Sequence, residues 1–317
     1  MFLGLDTSCY TTSLAVIDTQ GRLLSEARQL LKVPQGERGL RQANGVWQHL
    51  QNLPQLAQQL QTEIGPLRLQ AVAASSQPRP VAGSYMPVFM AGLSLARSLA
   101  ALAGVPCIEL SHQEGHLWAG LWSAKVRWDD FYALHVSGGT TELLSVKQAE
   151  RLQIVELGGS ADLQAGQFID RVGVAMGFSF PAGPQLEALA QTAGGEIAQV
   201  PVSVQGFNMS FSGPESHVQR LLAGGSVNQA AVARGVELCI AESLRRVIIN
   251  ARQQQGEKPV LLVGGVMANK FIRTFLAEQL DGHCAFAQPR FAGDNAVGAA
   301  LYAQQAGKKI KLANRKR

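Results

Sequence analysis

Cysteine is scarce and scattered: four residues in 317 (Cys9, Cys107, Cys239 and Cys284), with no CxxC pair among them. That argues against a zinc ribbon and a disulfide framework, and suits reduced thiols in a cytoplasmic protein. Long apolar runs are missing too. The longest, Met86 to Leu110, is broken by Arg97, Gly104 and Pro106, and reads as a buried helix followed by a strand. No membrane partner is expected. The start, Met1 to Asp6, has no signal-peptide character and reads as a short strand ending in an acid. Neither GxGxxG nor GxxxxGK followed by Ser or Thr occurs, which disfavours a Rossmann domain and a P-loop. Charge is modest: 16% charged against 46% hydrophobic residues is the composition of an ordinary globular protein. A chain of 317 residues suits two domains better than one core.

The net charge is +5, and Lys308, Lys309, Lys311, Arg315, Lys316 and Arg317 crowd the end of the chain. Such a tail can lie along phosphates or be a solvated terminus.

The periodicity predicts a meander of strands over 2–7, 13–17 and 22–27, with a turn at Asp18 to Gly21. A helix follows over 45–64, with Val46, Leu50, Leu53, Leu56 and Leu60 on its apolar face. Next come a strand over 69–74, a loop over 75–87, a helix over 88–103 with Gly104 as C-cap, and a strand over 105–110. After Asp129-Asp130 the pattern restarts with strands over 131–136 and 141–146. Helices are then predicted over 163–176, 184–191, 229–253, 269–280 and 295–304, with a buried strand over 260–263. Each half thus opens on paired strands and continues as alternating helices and strands. This predicts a two-lobed α/β protein, residues 1–128 and 129–317, with a ligand in the cleft and a last helix that can pack back on the first lobe.

Within that frame, His112-Gln113-Glu114-Gly115-His116 puts two imidazoles at i and i+4 on one helical face, where both can reach one metal ion. Ser111 is placed to be the N-cap. Gln113 stands where an HExxH peptidase carries its glutamate base, which disfavours peptidase chemistry. Asp294 reads either as the N-cap of the last helix or as a third ligand. In the second case it completes a two-histidine, one-carboxylate site suited to Fe(II) or Zn(II). Ser137-Gly138-Gly139 follows an apolar strand and is either a hairpin turn or a backbone cradle for an anion. Gly264-Gly265 lies between a strand and a helix, a place where nucleotides bind. Asp170 suits a ribose contact or a solvated helix carboxylate equally.

These segments, in this order, resemble the TsaD family (also called YgjD or Gcp) of tRNA threonylcarbamoyladenosine synthases. The resemblance runs from Leu3-Gly4-Leu5-Asp6-Thr7-Ser8-Cys9 through His112–His116, Val136–Gly139, Ala165–Asp170, Phe180–Pro184 and Phe207–Gly213 to Gly264–Asn269 and Asp294-Asn295. It implies the actin-like, sugar-kinase-like superfold of duplicated RNase H-like lobes. It also implies His112, His116 and Asp294 as metal ligands, and His135, Val136, Ser137, Gly138, Gly139, Asp170, Gly183 and Asn269 as adenylate-binding positions beside Gly264 and Gly265. The implied reaction moves a threonylcarbamoyl group from threonylcarbamoyl-adenylate to the exocyclic amine of the adenosine beside the tRNA anticodon. The implied partners are tRNA, a TsaB-like paralogue and a TsaE-like ATPase.

The sequence departs from the family at four places. Its Ser-Cys-Asp-Glu-Thr reads Ser8-Cys9-Tyr10-Thr11-Thr12, and its Gly-Pro-Gly loop reads Ser76-Gln77-Pro78-Arg79-Pro80. Its Pro-Glu-Leu-Ala-Ser-Arg reads Arg41 to Val46, and its Ser-Gly-Gly-His ends in Thr140. A divergent transferase, a regulatory paralogue that binds metal and nucleotide, and a carbamoyltransferase for another acceptor all stay open. No residue is assigned as general base.

Overall fold

The computed structural model describes residues 1–8, 10–34, 40–149, 151–225 and 227–314, with side chains described as far as Gly307. Cys9 and the side chains of the basic tail lie outside the described residues. The chain forms two compact units: residues 1–122 with 294–317, and residues 123–293.

The first unit opens with β1 (Phe2–Asp6), β2 (Thr11–Ile17) and β3 (Leu23–Leu30). Every residue of β1 and β2 is buried, the pattern of strands covered on both faces. Then come α1 (Gln42–Ile64), β4 (Ala71–Gln77), α2 (Phe89–Ala103), β5 (Cys107–Ser111) and α3 (His112–Ala124). The sheet order is β3-β2-β1-β4-β5. β1 pairs antiparallel with β2 and parallel with β4, and β4 pairs parallel with β5. β3 runs three residues past its predicted end. β4 extends through Gln77, so the predicted loop starts later, because both strands keep finding ladder partners. α2 ends at Gly104 in the left-handed conformation, as the sequence indicated. On α1, Leu50 is 51% exposed, whereas the helix buries His49 and Asn52 beside Leu53, Leu56 and Leu60. The inner face is turned to carry two polar groups to Thr12.

The second unit repeats the plan. β6 (Asp130–Val136), β7 (Thr141–Gln148) and β8 (Leu152–Gly159) form an antiparallel meander. α4 (Ala165–Ala175) and α5 (Gly183–Ala190) follow, then a small hairpin of β9 (Ser203–Gln205) and β10 (Asn208–Ser210). α6 (Ser212–Ala223), α7 (Gln229–Gln255), β11 (Val260–Val263), a 3₁₀ turn (Gly265–Ala268), α8 (Lys270–Gln279), β12 (Cys284–Phe286) and α9 (Pro289–Ala292) complete it. The order is β12-β11-β6-β7-β8, with β6 parallel to β11 and β11 parallel to β12. Strand for strand this is the first sheet again. The sequence reading missed β8, β9, β10, α6, β12 and α9. β8 buries only its two end residues, α6 buries only Pro214 and Val218, and the others have three or four residues each. None of these carries a periodic signal.

α10 (Val297–Asn314) then returns to the first unit, packing on β1, β4 and β2. The units divide between Trp122 and Ser123, near the end of α3, where the sequence reading placed the boundary after residue 128. Leu3, Leu5, Val72 and Ala74 anchor the core of the first unit. In the second, Phe168, Phe211, Val236, Ile240 and Leu262 lie together. The predicted face of α7 (Val232, Val236, Ile240, Leu244 and Ile248) is wholly buried. Among the described residues, Cys107, Cys239 and Cys284 are free thiols, and no helix is long and apolar enough to cross a membrane.

Candidate metal centre and nucleotide cavity

Ser111 closes β5 and opens α3 through a reciprocal cap. Its hydroxyl accepts the Glu114 N–H at 3.2 Å, and the Glu114 carboxylate accepts the Ser111 N–H at 2.7 Å. This sets the first turn of α3, from which His112 and His116 project together, ring centroids 4.4 Å apart and edge to face. Their Nε2 atoms are 3.0 Å apart. Asp294 Oδ1 stands 3.4 Å from the first and 3.3 Å from the second. Asp294 is not the cap of α10: Asn295 Oδ1 takes the Val297 N–H at 3.0 Å, leaving the Asp294 carboxylate to the imidazoles. The approach depends on Gly298, where a Cβ would collide with the Gly115 carbonyl, so α10 crosses α3 at backbone contact.

Asp6, at the end of β1, holds His112 from behind, Oδ1 to Nδ1 at 3.1 Å. Its other oxygen accepts the Ser8 hydroxyl at 2.6 Å. An imidazole pinned by a carboxylate through Nδ1 presents Nε2 to a metal. Ligands on zinc or iron at about 2.0–2.2 Å stand about 3.0–3.5 Å from one another, the spacing these three donors have. His112, His116 and Asp294 thus fit a divalent ion.

The electrostatics agree with a cation there. Burial disfavours charge on Asp6 and Asp294, but His112 beside the first, and both histidines beside the second, outweigh it and hold both acids below the ordinary carboxylate range. Burial also works against charge on His112, yet Asp6 and Asp294 raise it well above an ordinary histidine. His116 is lowered, by burial first and by the charge on His112 second. Behind this group His49, wholly buried on α1, bonds the Thr12 hydroxyl through Nδ1 at 2.8 Å. Burial, opposed by Asp6 and Asp294, brings it down to about 4, so it is neutral at pH 7. The sequence reading did not assign Asp6 or His49 a place here. The available signal was β2, whose buried Thr11, Thr12 and Ser13 demand polar partners.

The second unit holds a cavity of about 250 Å³. Of the expected nucleotide residues, Gly138, Asp170, Gly183, Gly265 and Asn269 line it, from four different segments. His135 and Val136 are buried within β6 and do not line it. Ser137 and Gly139 belong to the turn joining β6 to β7, closed by the Ser137 N–H to the Thr140 carbonyl at 2.7 Å. Gly264 has φ +100° and no room for a Cβ beside the Val136 backbone, so it is a structural glycine next to the cavity. Gly138 and Gly139 differ: neither takes positive φ, and a Cβ on either would meet nothing within 4 Å. The hairpin does not demand glycine there, whereas a ligand approaching the backbone would.

Asp170 Oδ1 accepts the Ala182 N–H at 2.8 Å, and burial raises its carboxyl above the ordinary value despite that bond. Asn269 caps α8, Oδ1 accepting the Ile272 N–H at 2.9 Å, and its Nδ2 donates to Glu237 at 2.6 Å. Gly166 and Glu187 also line the cavity and were missed. Glu187 stands four residues after Gly183, on the same face of α5, which is the spacing that could have found it.

Two five-stranded sheets of one topology, each backed by helices, define the actin-like superfold, and solved structures agree. Component A of (R)-2-hydroxyglutaryl-CoA dehydratase from Acidaminococcus fermentans superposes with TM-score 0.59 at 15% identity, over 97% of this chain and 98% of that one. HypF from T. kodakarensis gives 0.60 at 14%, over 98% of this chain and 48% of that one. A ROK family glucokinase from Streptomyces griseus, in complex with glucose and AMPPNP, gives 0.52 at 13%, over 96% and 99%. At such identities the likeness is one of fold. Within that superfold, residues 43–301 match the model of TsaD, tRNA N6-adenosine threonylcarbamoyltransferase, and the chain belongs to this family.

Proposed function

We propose that the chain transfers a threonylcarbamoyl group from threonylcarbamoyl-adenylate to the exocyclic amine of the anticodon-adjacent adenosine of tRNA. The observation that carries this reading is the convergence of His112, His116 and Asp294, braced by Asp6, in a chain of the TsaD family. A divalent ion, Fe(II) or Zn(II), held by these three would polarise the threonyl carboxylate or carbamoyl oxygen. In the second unit, the open backbone at Gly138 and Gly265 suits the phosphate, and Asp170 and Glu187 suit the ribose hydroxyls. In the transfer, the amine nitrogen bonds to the carbamoyl carbon, the bond from that carbon to the phosphate oxygen breaks, AMP leaves, and the amine proton passes to solvent. The amine is a weak nucleophile, so positioning supplies most of the gain. Partners on this reading are tRNA, a TsaB-like paralogue and a TsaE-like ATPase, in the cytoplasm. The test is mass spectrometry of tRNA nucleosides after incubation with the protein, its partners and the adenylate. Appearance of the modified adenosine supports the reading, and its absence from the complete mixture overturns it.

A second reading, a regulatory paralogue that binds metal and nucleotide without transfer, is favoured by Tyr10 and Thr11, which stand where the family has an acidic pair. Thr11 is buried at the first position of β2, opposite Leu30. A large gain in transfer by the Tyr10→Asp/Thr11→Glu variant would support it.

A further inference from the structure

The first unit carries an arginine beside its metal ligands that the transfer described above does not use. Across β1, β2 and β3, Asp6 stands opposite Ser13 and Ser13 opposite Arg28, so the three side chains share one face of the sheet. Gly4, Ala15 and Glu26 form the next row of that face. Helix α10 packs directly on it, since a Cβ at Gly4 would meet the Ala296 carbonyl and the Ala300 nitrogen. Arg28 is thereby brought to the start of α10, where its Nη1 lies 3.5 Å from the Asp294 carbonyl oxygen. Its Nε is held by Glu26 Oε1 at 3.1 Å. The Glu26 side chain is only 1% exposed and that of Arg28 31%, so the guanidinium is fixed through Nε and stays partly in solvent.

We infer that Arg28 binds the carboxylate of the carbamoyl donor, and so selects a carbamoyl group that carries an amino acid over an unsubstituted one. The inference rests on the transfer reading and deepens it. The glycine turns of the second unit suit the donor's phosphate, so the anion left for the first unit is the threonyl carboxylate. A guanidinium is a planar fork that meets a carboxylate with two parallel hydrogen bonds. Position 11 supports this assignment. The family has the second acid of its pair there, and in this chain Thr11 stands on the same sheet face, diagonal to Arg28. A glutamate in that place would come within reach of the guanidinium and compete with a ligand. A threonine brings no charge to compete.

The test is ligand-detected NMR titration of the zinc-loaded full chain with N-carbamoyl-L-threonine and with its amide, the same molecule without the charge. Wild type is compared with Arg28→Gln and with Arg28→Lys, which keeps a cation beside Glu26 but loses the fork. Wild type should prefer the acid by about tenfold or more, the worth of one charge-assisted contact. That preference should fall to about threefold or less in both variants, with amide affinity and zinc stoichiometry within about twofold of wild type. The Lys variant keeps the test decisive if Arg28→Gln leaves Glu26 buried without a cation and disturbs the fold, which circular dichroism will report. A preference that survives in the folded variants places the carboxylate elsewhere and overturns the inference. An equal loss for acid and amide overturns it too, since Arg28 then serves only the fold beside Glu26. Wild type that binds neither molecule defeats the donor reading itself, an outcome distinct from the other two.

Discussion

A carboxylate just ahead of a helix usually serves the helix, and Asp294 is placed to do so, but its neighbour Asn295 already takes the Val297 N–H. Asp294 is left with an oxygen against two imidazoles, an arrangement with little use other than holding a cation. Metal analysis of the purified protein should find close to one Fe or Zn per chain, falling to background in Asp294→Ala and in His116→Ala. Full stoichiometry in either variant would remove the assignment. His116 is 4% exposed, so its loss also leaves a cavity, costing about 1–3 kcal/mol in denaturant unfolding. Asp294 is more accessible and should cost less. Asp6 acts one shell further out, through Nδ1 of His112. Asp6→Asn should weaken metal affinity by about 10–100-fold while the metal-free protein stays folded. Affinity equal to wild type would mean that His112 is oriented by packing alone.

At the scale of elements, two close approaches make the site possible. The crossing of α3 and α10 needs Gly298, and Gly298→Ala must push the helices apart. We expect about 1–3 kcal/mol of destabilisation together with weaker metal binding, because Asp294 lies four residues upstream on the displaced segment. Unchanged values for both would show that the helices part at no cost. In the second unit, Asp162 ties the segment between β8 and α4 to the start of α6. Its carboxylate accepts the Leu163 N–H at 2.5 Å, the Ser210 hydroxyl at 2.5 Å and the Phe211 N–H at 2.9 Å. Burial alone would raise this group, but the Ser210 and backbone bonds outweigh it and bring it down to about 2. A carboxylate lowered in the folded state adds stability above its unfolded value near 3.8, and that stability is lost as pH falls from about 4 towards 2. Asp162→Ala should therefore cost about 1–2 kcal/mol at pH 7, a figure reduced for solvent exposure, and much less at pH 2.5. A cost that does not change with pH would mean the bonds do not depend on the charge.

Over the whole molecule, the candidate metal ligands belong to the first unit and the nucleotide cavity to the second. Each ligand should stabilise the unit that holds it, by about 2.7 kcal/mol at one hundred times its dissociation constant. Hydrogen exchange should then show Zn(II) protecting β1, α3 and the start of α10, and AMP protecting α4, α5 and the start of α8. Protection by Zn(II) centred on the second unit would contradict the metal assignment.

What the amino-acid order determined by itself was local and periodic. The spacing of His112 and His116, the Ser111 cap, the left-handed Gly104 and the apolar face of α7 are each set within a turn or two of chain, so they were legible. The duplicated α/β plan was legible for the same reason, since both halves repeat the succession of strands and helices. Contacts far apart in sequence were decided only by the fold. The cap goes to Asn295 rather than Asp294 because α10 crosses α3 at Gly298. Asp6 braces His112 because β1 lies two strands from β5. The face of α1 turns inward at His49 and Asn52, not Leu50, because buried hydroxyls on β2 need partners. Arg28 reaches Asp294 because α10 covers the sheet face on which β3 carries it. Periodicity reports which side of an element faces inward, and tertiary packing alone decides what it meets.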